Sequence, residues 1–421
     1  MTSVAQEAWF QDPSLTRILS LLNADGGEAR VVGGAIRNAL MGLAIGDIDI
    51  ATTLVPDVVV ERAKAAGIKA VPTGIEHGTV TLVLDGRGFE VTTLRRDVET
   101  DGRRAQVAFG TDWKADAERR DLTINALYAD DKGEVIDPIG GLVDIETRTI
   151  RFIGDAETRI AEDYLRVPRF FRFFAYYGSG RPDADGLRAS ARVKDKLKTL
   201  SAERIWSEMK KLLAAPDPSR ALLWMRQTGV LTEILPETEK WGIDAIHGLV
   251  ATEQALKWAP DPLLRLAAIV PDDAARLEAL SKRLRMSNAE AARLLAWAKA
   301  PVLPDEVTDV GFDRMLYHHG ADGIGIRVKL ALAAARARAE EGDPAAMRKS
   351  ARLSDLLKRC DGYVKPVFPL TGADVLAAGV PAGKRVGEML ASLENLWVER
   401  NFALDRAALT ARLDDMIRSS S

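Results

Sequence analysis

The 421-residue sequence contains one cysteine, Cys360, and only four histidines. A single thiol excludes an intramolecular disulfide and a cysteine-built metal site, and it fits a reducing, cytoplasmic setting. His318 and His319 lack metal-ligand spacing, and no His-Asp pair of the phosphohydrolase kind appears. No stretch approaches the ~18 apolar residues of a membrane-spanning helix, so no membrane span is expected. The opening MTSVAQEAWFQDPS lacks a basic start and an apolar centre, so no signal peptide is expected either. Excess positive charge is missing too: the net charge is −3. Any site for a polyanion must therefore be a local patch. What is present is 47% hydrophobic residues spread along the chain. That composition suits a soluble globular protein of about three domains.

The most informative stretch is VVGGAIRNALMGLAIGDIDI, Val31 to Ile50. It predicts a short strand (Arg30 to Val32), a double-glycine turn (Gly33, Gly34), a helical turn ending near Gly42, and a second strand carrying Asp47 and Asp49. Two glycines opening a helix let the backbone approach a ligand, and the first helical N–H groups favour an anion such as phosphate. Arg37 adds a guanidinium fork for phosphate oxygens. Residues two apart on a strand share a face, so Asp47 and Asp49 converge. Two carboxylates beside a phosphate cradle suit Mg²⁺-assisted phosphoryl transfer. In this order the residues resemble the GG…DxD signature of the nucleotidyltransferase superfamily.

Around that centre, Leu15, Ile18, Leu19 and Leu22 have helical spacing, and Pro56 to Ala66 predicts another helix. TGIEHGTVTLVL and GFEVTTLR alternate about Asp85-Gly86, which predicts a hairpin. Glu90 becomes a third carboxylate for the metal if its strand neighbours that of Asp47. Arg95 to Glu118 is polar and without periodicity, and it predicts a mobile loop that closes on the nucleotide or guides the primer.

RRDLTINALY, Arg119 to Tyr128, resembles nearly letter for letter the RRDFTINAL motif of bacterial class II tRNA nucleotidyltransferases and poly(A) polymerases. The resemblance implies that Arg120, Asp121 and Asn125 contact the ribose and triphosphate. An Asp/Asn pair suits recognition of a 2′-OH, which both donates and accepts. A helix from Ala156 to Tyr177 is expected next. Within it Glu162-Asp163-Tyr164-Leu165-Arg166 matches the family's EDxxR motif, with Arg169 and Arg172 extending the row and Pro168 kinking it. Asp163 and Arg166 are chemically suited to read the base. Cytosine and adenine share an amine beside an unprotonated ring nitrogen, whereas uracil and guanine reverse both groups. SAERIWSEMKKLL resembles the family's ERxxxE motif, which implies that Glu203, Arg204 and Glu208 brace the reading helix. Residues 151–215 carry fourteen basic and nine acidic residues, the local patch an RNA end requires.

AAPDPS, Ala214 to Ser219, begins an all-helical half. The expected fold is α+β: an N-terminal mixed αβ nucleotidyltransferase palm with a small sheet (1–150), a neck with the nucleotide-reading helix (151–215), a helical body (216–345) and a helical tail binding tRNA (346–421). The resemblance implies a CCA-adding enzyme that takes CTP, ATP and the tRNA 3′ end and uses Mg²⁺. A poly(A) polymerase is the nearest rival, but residues 51–80 lack the basic stretch of that branch. A catalytically inactive tRNA-binding protein is less consistent with intact Asp47 and Asp49. Asn38 stands where many relatives have Asp.

Overall fold

The computed structural model describes residues 2–74, 78–97, 107–239 and 242–419. The chain forms two compact units, Met1–Ile234 and Leu235–Ser421.

The first unit runs α1 (Pro13–Asn23), β1 (Ala29–Val32), α2 (Gly34–Leu40), β2 (Asp49–Thr52), α3 (Pro56–Ala65), β3 (Lys69–Gly74), β4 (Thr79–Leu84), β5 (Arg87–Thr93), β6 (Arg95–Asp97), β7 (Val107–Phe109), α4 (Trp113–Glu118), β8 (Tyr128–Ala129), β9 (Val135–Ile136) and α5 (Gly141–Thr147). The helices α6 (Ala156–Glu162), α7 (Arg166–Tyr177), α8 (Ala184–Arg192), α9 (Ala202–Leu213), α10 (Ser219–Gln227) and α11 (Val230–Ile234) complete it. Seven strands form one sheet in the order β3-β4-β5-β2-β1-β8-β9. Within it β2 and β5 are parallel, while the other neighbours are antiparallel.

Local chemistry explains these elements. Asp12 accepts from the Ser14 N–H and Pro13 opens α1, which then buries Leu15, Ile18, Leu19 and Leu22. Asp85 and Gly86 both have positive φ, 50° and 77°, as a two-residue β4–β5 turn requires. Val80 pairs with Val91 and Leu82 with Phe89 across the hairpin, and all four are buried.

The second unit is helical: α12 (Ala245–Leu256), α13 (Pro262–Ile269), α14 (Ala274–Arg283), α15 (Asn288–Lys299), α16 (Asp309–Glu340), α17 (Pro344–Asp361), α18 (Gly372–Ala377), α19 (Lys384–Glu399) and α20 (Arg406–Arg418). Gly320, at φ 76° and ψ 156°, breaks α16 into two helical runs. Among the described residues no helix is long and apolar enough to cross a membrane.

Four expectations need correction. Asp47 precedes β2, which begins at Asp49. The Arg95–Glu118 segment is not structureless: β6 pairs with β7 and α4 follows, capped by Asp112. Its tip, 98–106, and the mobility expected there lie outside the described residues. The 156–177 stretch is two helices, because Asp163 is extended (φ −153°) and its carboxylate accepts the Leu165 N–H at 3.0 Å. That local bond competes with helical pairing. Pro168 consequently falls in the first turn of α7, where a missing N–H costs nothing, and it kinks nothing.

Candidate active site

The acidic end of the sheet follows from alternation. Ile48 and Ile50 are buried, which turns Asp47 and Asp49 to the opposite side, Asp47 exposed and Asp49 half-buried. The parallel β2–β5 register sets Asp49 directly beside Glu90. Burial holds the Asp49 carboxyl above its usual range; the charges of Glu90 and Asp47 push the same way, and Arg120 opposes them. Such an acid cluster gains from a cation, and carboxylate oxygens are the donors a hard divalent ion prefers. No group of three acidic, histidine or cysteine side chains among the described residues is arranged to hold a metal. The carboxylates that could meet such an ion are those of Asp47 and Asp49, with Glu90 beside Asp49 in the register.

The double-glycine turn comes next. Gly33 has φ 74° and ψ −111°, a conformation closed to L side chains, and a Cβ there would lie 3.3 Å from the Asn125 carbonyl oxygen. Arg37, on α2, does not present an open fork. Its Nη2 donates to Asn38 Oδ1 at 2.9 Å and Tyr177 Oη at 2.8 Å, and Nη1 donates to Asn125 Oδ1. Asn38 donates in turn to the Ala44 carbonyl at 2.8 Å. An ionised aspartate, having no donor, could not make that last bond.

The RRDLTIN segment joins this turn to the neck. Asn125 donates to Asp121 Oδ1 at 3.1 Å, and Arg169 of α7 donates twice to Asp121 Oδ2, at 2.9 and 2.6 Å. Burial works to raise the Asp121 carboxyl, but Arg169, Asn125 and the Leu122 N–H outweigh it and hold it low. Arg120 Nη2 donates to Asp116 at 3.0 Å, and Tyr128 Oη donates to the same carboxylate oxygen at 2.7 Å. Arg119 pairs with the other oxygen of Asp116.

Asp116 is 1% exposed and aims Arg120 and Arg119 together. Burial opposes its ionisation, yet Arg120 and Arg119 bring its pKa below the usual range. Its stabilising contribution is therefore full above about pH 4 and fades as pH falls through the lowered folded value. Asp116→Ala is expected to cost about 2–3 kcal/mol in urea unfolding at pH 7, because both arginines retain some access to water. A loss below about 0.5 kcal/mol would mean that the cluster is dispensable.

On the neck, Arg172 donates to Glu208 of α9 at 2.6 Å, and Arg204 of α9 donates to Asp163 at 2.7 Å. Arg166 pairs with Glu162 and donates to the Arg159 carbonyl at 2.8 Å. The structure thus gathers Gly33, Gly34, Arg37, Asn125, Asp121 and Arg169 into one connected set, with Arg120 and the acid cluster adjoining it. Asp163 and Arg166 stand on opposite sides of the helix break, each held by a different partner.

A separate cavity of about 640 Å³ in the second unit is lined mainly by apolar side chains, including Leu249, Trp297 and Leu353, and by none of these residues.

The family described as Poly A polymerase head domain matches residues 29–151, and that described as probable RNA and SrmB-binding site of polymerase A matches residues 183–241. The mitochondrial CCA tRNA nucleotidyltransferase 1 of Mus musculus is 33% identical over 410 residues, covering 94% of this chain and 88% of that protein. The chain belongs to the CCA tRNA nucleotidyltransferase family. The CCA-adding enzyme of Geobacillus thermodenitrificans is 41% identical over 228 residues, 53% of this chain and 55% of its own. The crystal structure of the Bacillus stearothermophilus CCA-adding enzyme in complex with CTP superposes with a TM-score of 0.68 at 28% identity, covering 96% of this chain and 97% of that one.

For a member of this family, motif reading left out Asp116 and Tyr177. Asp116 had a local signal, since it lies three and four residues before the two arginines on a capped helix. Tyr177 had none, being 140 residues from Arg37.

Proposed function

We propose that this chain adds C, C and A, or part of that tail, to the 3′ end of tRNA from CTP and ATP, without a nucleic-acid template. The observation that carries the reading is the meeting, at one end of the sheet, of the Asp47–Asp49 turn, the double-glycine turn and the RRDLTIN segment. The tRNA 3′-hydroxyl gives up its proton to solvent as its oxygen bonds to the α-phosphorus, the bond from that phosphorus to the bridging oxygen of the β-phosphate breaks, and pyrophosphate leaves with the electron pair. Asp47 and Asp49 would hold a divalent cation, for which Mg²⁺ is our choice on the hardness of the donors. When bound, it stabilises charge on the attacking and leaving oxygens. Arg120 and Arg37 bind the triphosphate, Gly33 and Gly34 let it approach the backbone, and Asp121 with Asn125 orients the ribose. Arg169 and Arg172 fix that arrangement from the neck, where residues 151–215 form the RNA surface. The tail (346–421) also binds tRNA, and the cytoplasm is the proposed compartment.

Asp163 and Arg166 read the base after exchanging Arg204 and Glu162 for its edge. A bidentate pair is worth ~1–3 kcal/mol of discrimination. Asp163→Ala is accordingly expected to narrow the CTP-over-UTP preference by about tenfold or more, measured as kcat/KM ratios. Unchanged ratios would remove this segment from base selection.

The function itself is tested with tRNA lacking its CCA, incubated with each nucleotide alone and with CTP and ATP together. Growth by C residues with CTP, completed by one A when both are present, is expected. A long A tail would favour the poly(A) alternative, and no growth would remove the activity.

A further inference from the structure

Three guanidinium groups gather around one ring of α7. From the Phe173 centroid, Arg172 lies 4.5 Å away, Arg37 5.3 Å and Arg169 5.5 Å. Two of these cations are matched by carboxylates, Arg169 by Asp121 and Arg172 by Glu208. Arg37 differs. It is 6% exposed, its hydrogen bonds run to Asn38, Asn125 and Tyr177, and no carboxylate among the described residues contacts it. Its guanidinium also lies 4.0 Å from the centre of the Tyr177 ring. Burial lowers its pKa from 12.5, but a guanidinium stays charged in a protein.

Neutral oxygens and aromatic faces hold a cation in place without cancelling its charge. A buried charge left in that state is costly until an anion joins it. The fold therefore keeps one positive charge in reserve beside the Gly33–Gly34 turn. Among the described residues, Tyr177 is the α7 residue that hydrogen-bonds Arg37, with both ring and hydroxyl engaged.

We propose that Tyr177 is a positioning residue that holds Arg37, charged and without a counter-ion, for the polyphosphate of the incoming nucleotide and the departing pyrophosphate. It acts through Arg37 and touches no reacting atom. The inference rests on the reading of Arg37 as a phosphate-binding group. It also gives α7 two tasks, since the helix begins at Arg166 of the base-reading pair and ends at Tyr177. Because both nucleotides carry the same triphosphate, Tyr177 should serve CTP and ATP alike.

The test compares Tyr177→Phe, which keeps the ring, with Tyr177→Leu and Arg37→Lys. Each is measured for kcat, for KM of CTP, ATP and tRNA, for inhibition by inorganic pyrophosphate, and for Tm. Losing a hydrogen bond to a charged group should make Tyr177→Phe raise both nucleotide KM values and the pyrophosphate inhibition constant by about fivefold. Its kcat, tRNA KM and Tm should stay near wild type. Tyr177→Leu should exceed about tenfold, since the ring contact goes too. Arg37→Lys should raise the same constants, and adding Tyr177→Phe to it should change little more, as expected for two groups acting as one. If Arg37→Lys raises nucleotide KM but Tyr177→Phe does not, the role of Tyr177 is overturned while that of Arg37 stands. If Arg37→Lys leaves nucleotide and pyrophosphate binding unchanged, the phosphate reading fails and the proposal falls with it. A lowered Tm with unchanged KM for Tyr177→Phe marks a merely structural contact and also overturns it.

Discussion

Asp49→Asn is expected to lower nucleotide addition by at least about 10³-fold while leaving tRNA affinity within about twofold. A bound cation supplies several kcal/mol of transition-state stabilisation, and each ~1.4 kcal/mol is tenfold in rate. Asparagine preserves the size of the side chain but removes the charge that attracts the ion. Asp47→Asn should behave likewise, because the two side chains turn to the same side and the charge of Asp47 acts on Asp49. The proposed RNA surface is instead the basic segment 151–215. Single-turnover extension and filter binding, measured on the same preparations, separate the two effects. Extension within about tenfold of wild type would remove the metal role, and a parallel collapse of tRNA binding would place RNA on the acidic sheet end.

The second large effect belongs to stability. Glu253 of α12 and Arg265 of α13 form an ion pair inside the helical unit, with Nη2 to Oε2 at 2.7 Å and side chains only 1–2% exposed. Among the described residues, Glu253 Oε1 has no hydrogen-bond partner. Such a pair is a weak stabiliser as a whole, yet removing Glu253 takes away the buried carboxylate that faces the Arg265 guanidinium. Glu253→Ala is expected to destabilise the unit by about 3–5 kcal/mol, and Glu253→Met with Arg265→Met by clearly less. Urea unfolding of full-length variants checks this. A single variant no worse than the double one would show that Arg265 reaches other compensation.

The sequence was most legible where function depends on neighbours in the chain. RRDLTINALY carries its chemistry within ten residues, and the Asp85-Gly86 turn and the α1 stripe follow from local geometry. The placement of Glu90 beside Asp49 was legible as a condition, met once β5 paired with β2. The break at Asp163 was harder, because the amphipathic pattern of 156–177 is strong and a single Asp side chain bond to Leu165 overrides it. Pro168 carried the sign of the break but was read as a kink, although proline in a helical pattern marks a first turn as readily. Three-residue strands such as β6 and β7 are too short for periodicity to register. The tying of Arg37 to Tyr177 is long-range contact, which no spacing rule reaches.

The central claim is that the acid pair, the double-glycine turn and the RRDLTIN segment form one nucleotide site. The most direct measurement is anomalous diffraction from crystals of the wild-type protein soaked with Mn²⁺ and CTP. The predicted result is a manganese peak bonded to the Asp47 and Asp49 carboxylates, with the triphosphate on Arg120 and Arg37 and the ribose against Asp121 and Asn125. Ordered CTP and manganese elsewhere, for instance in the apolar cavity of the helical unit, would contradict it.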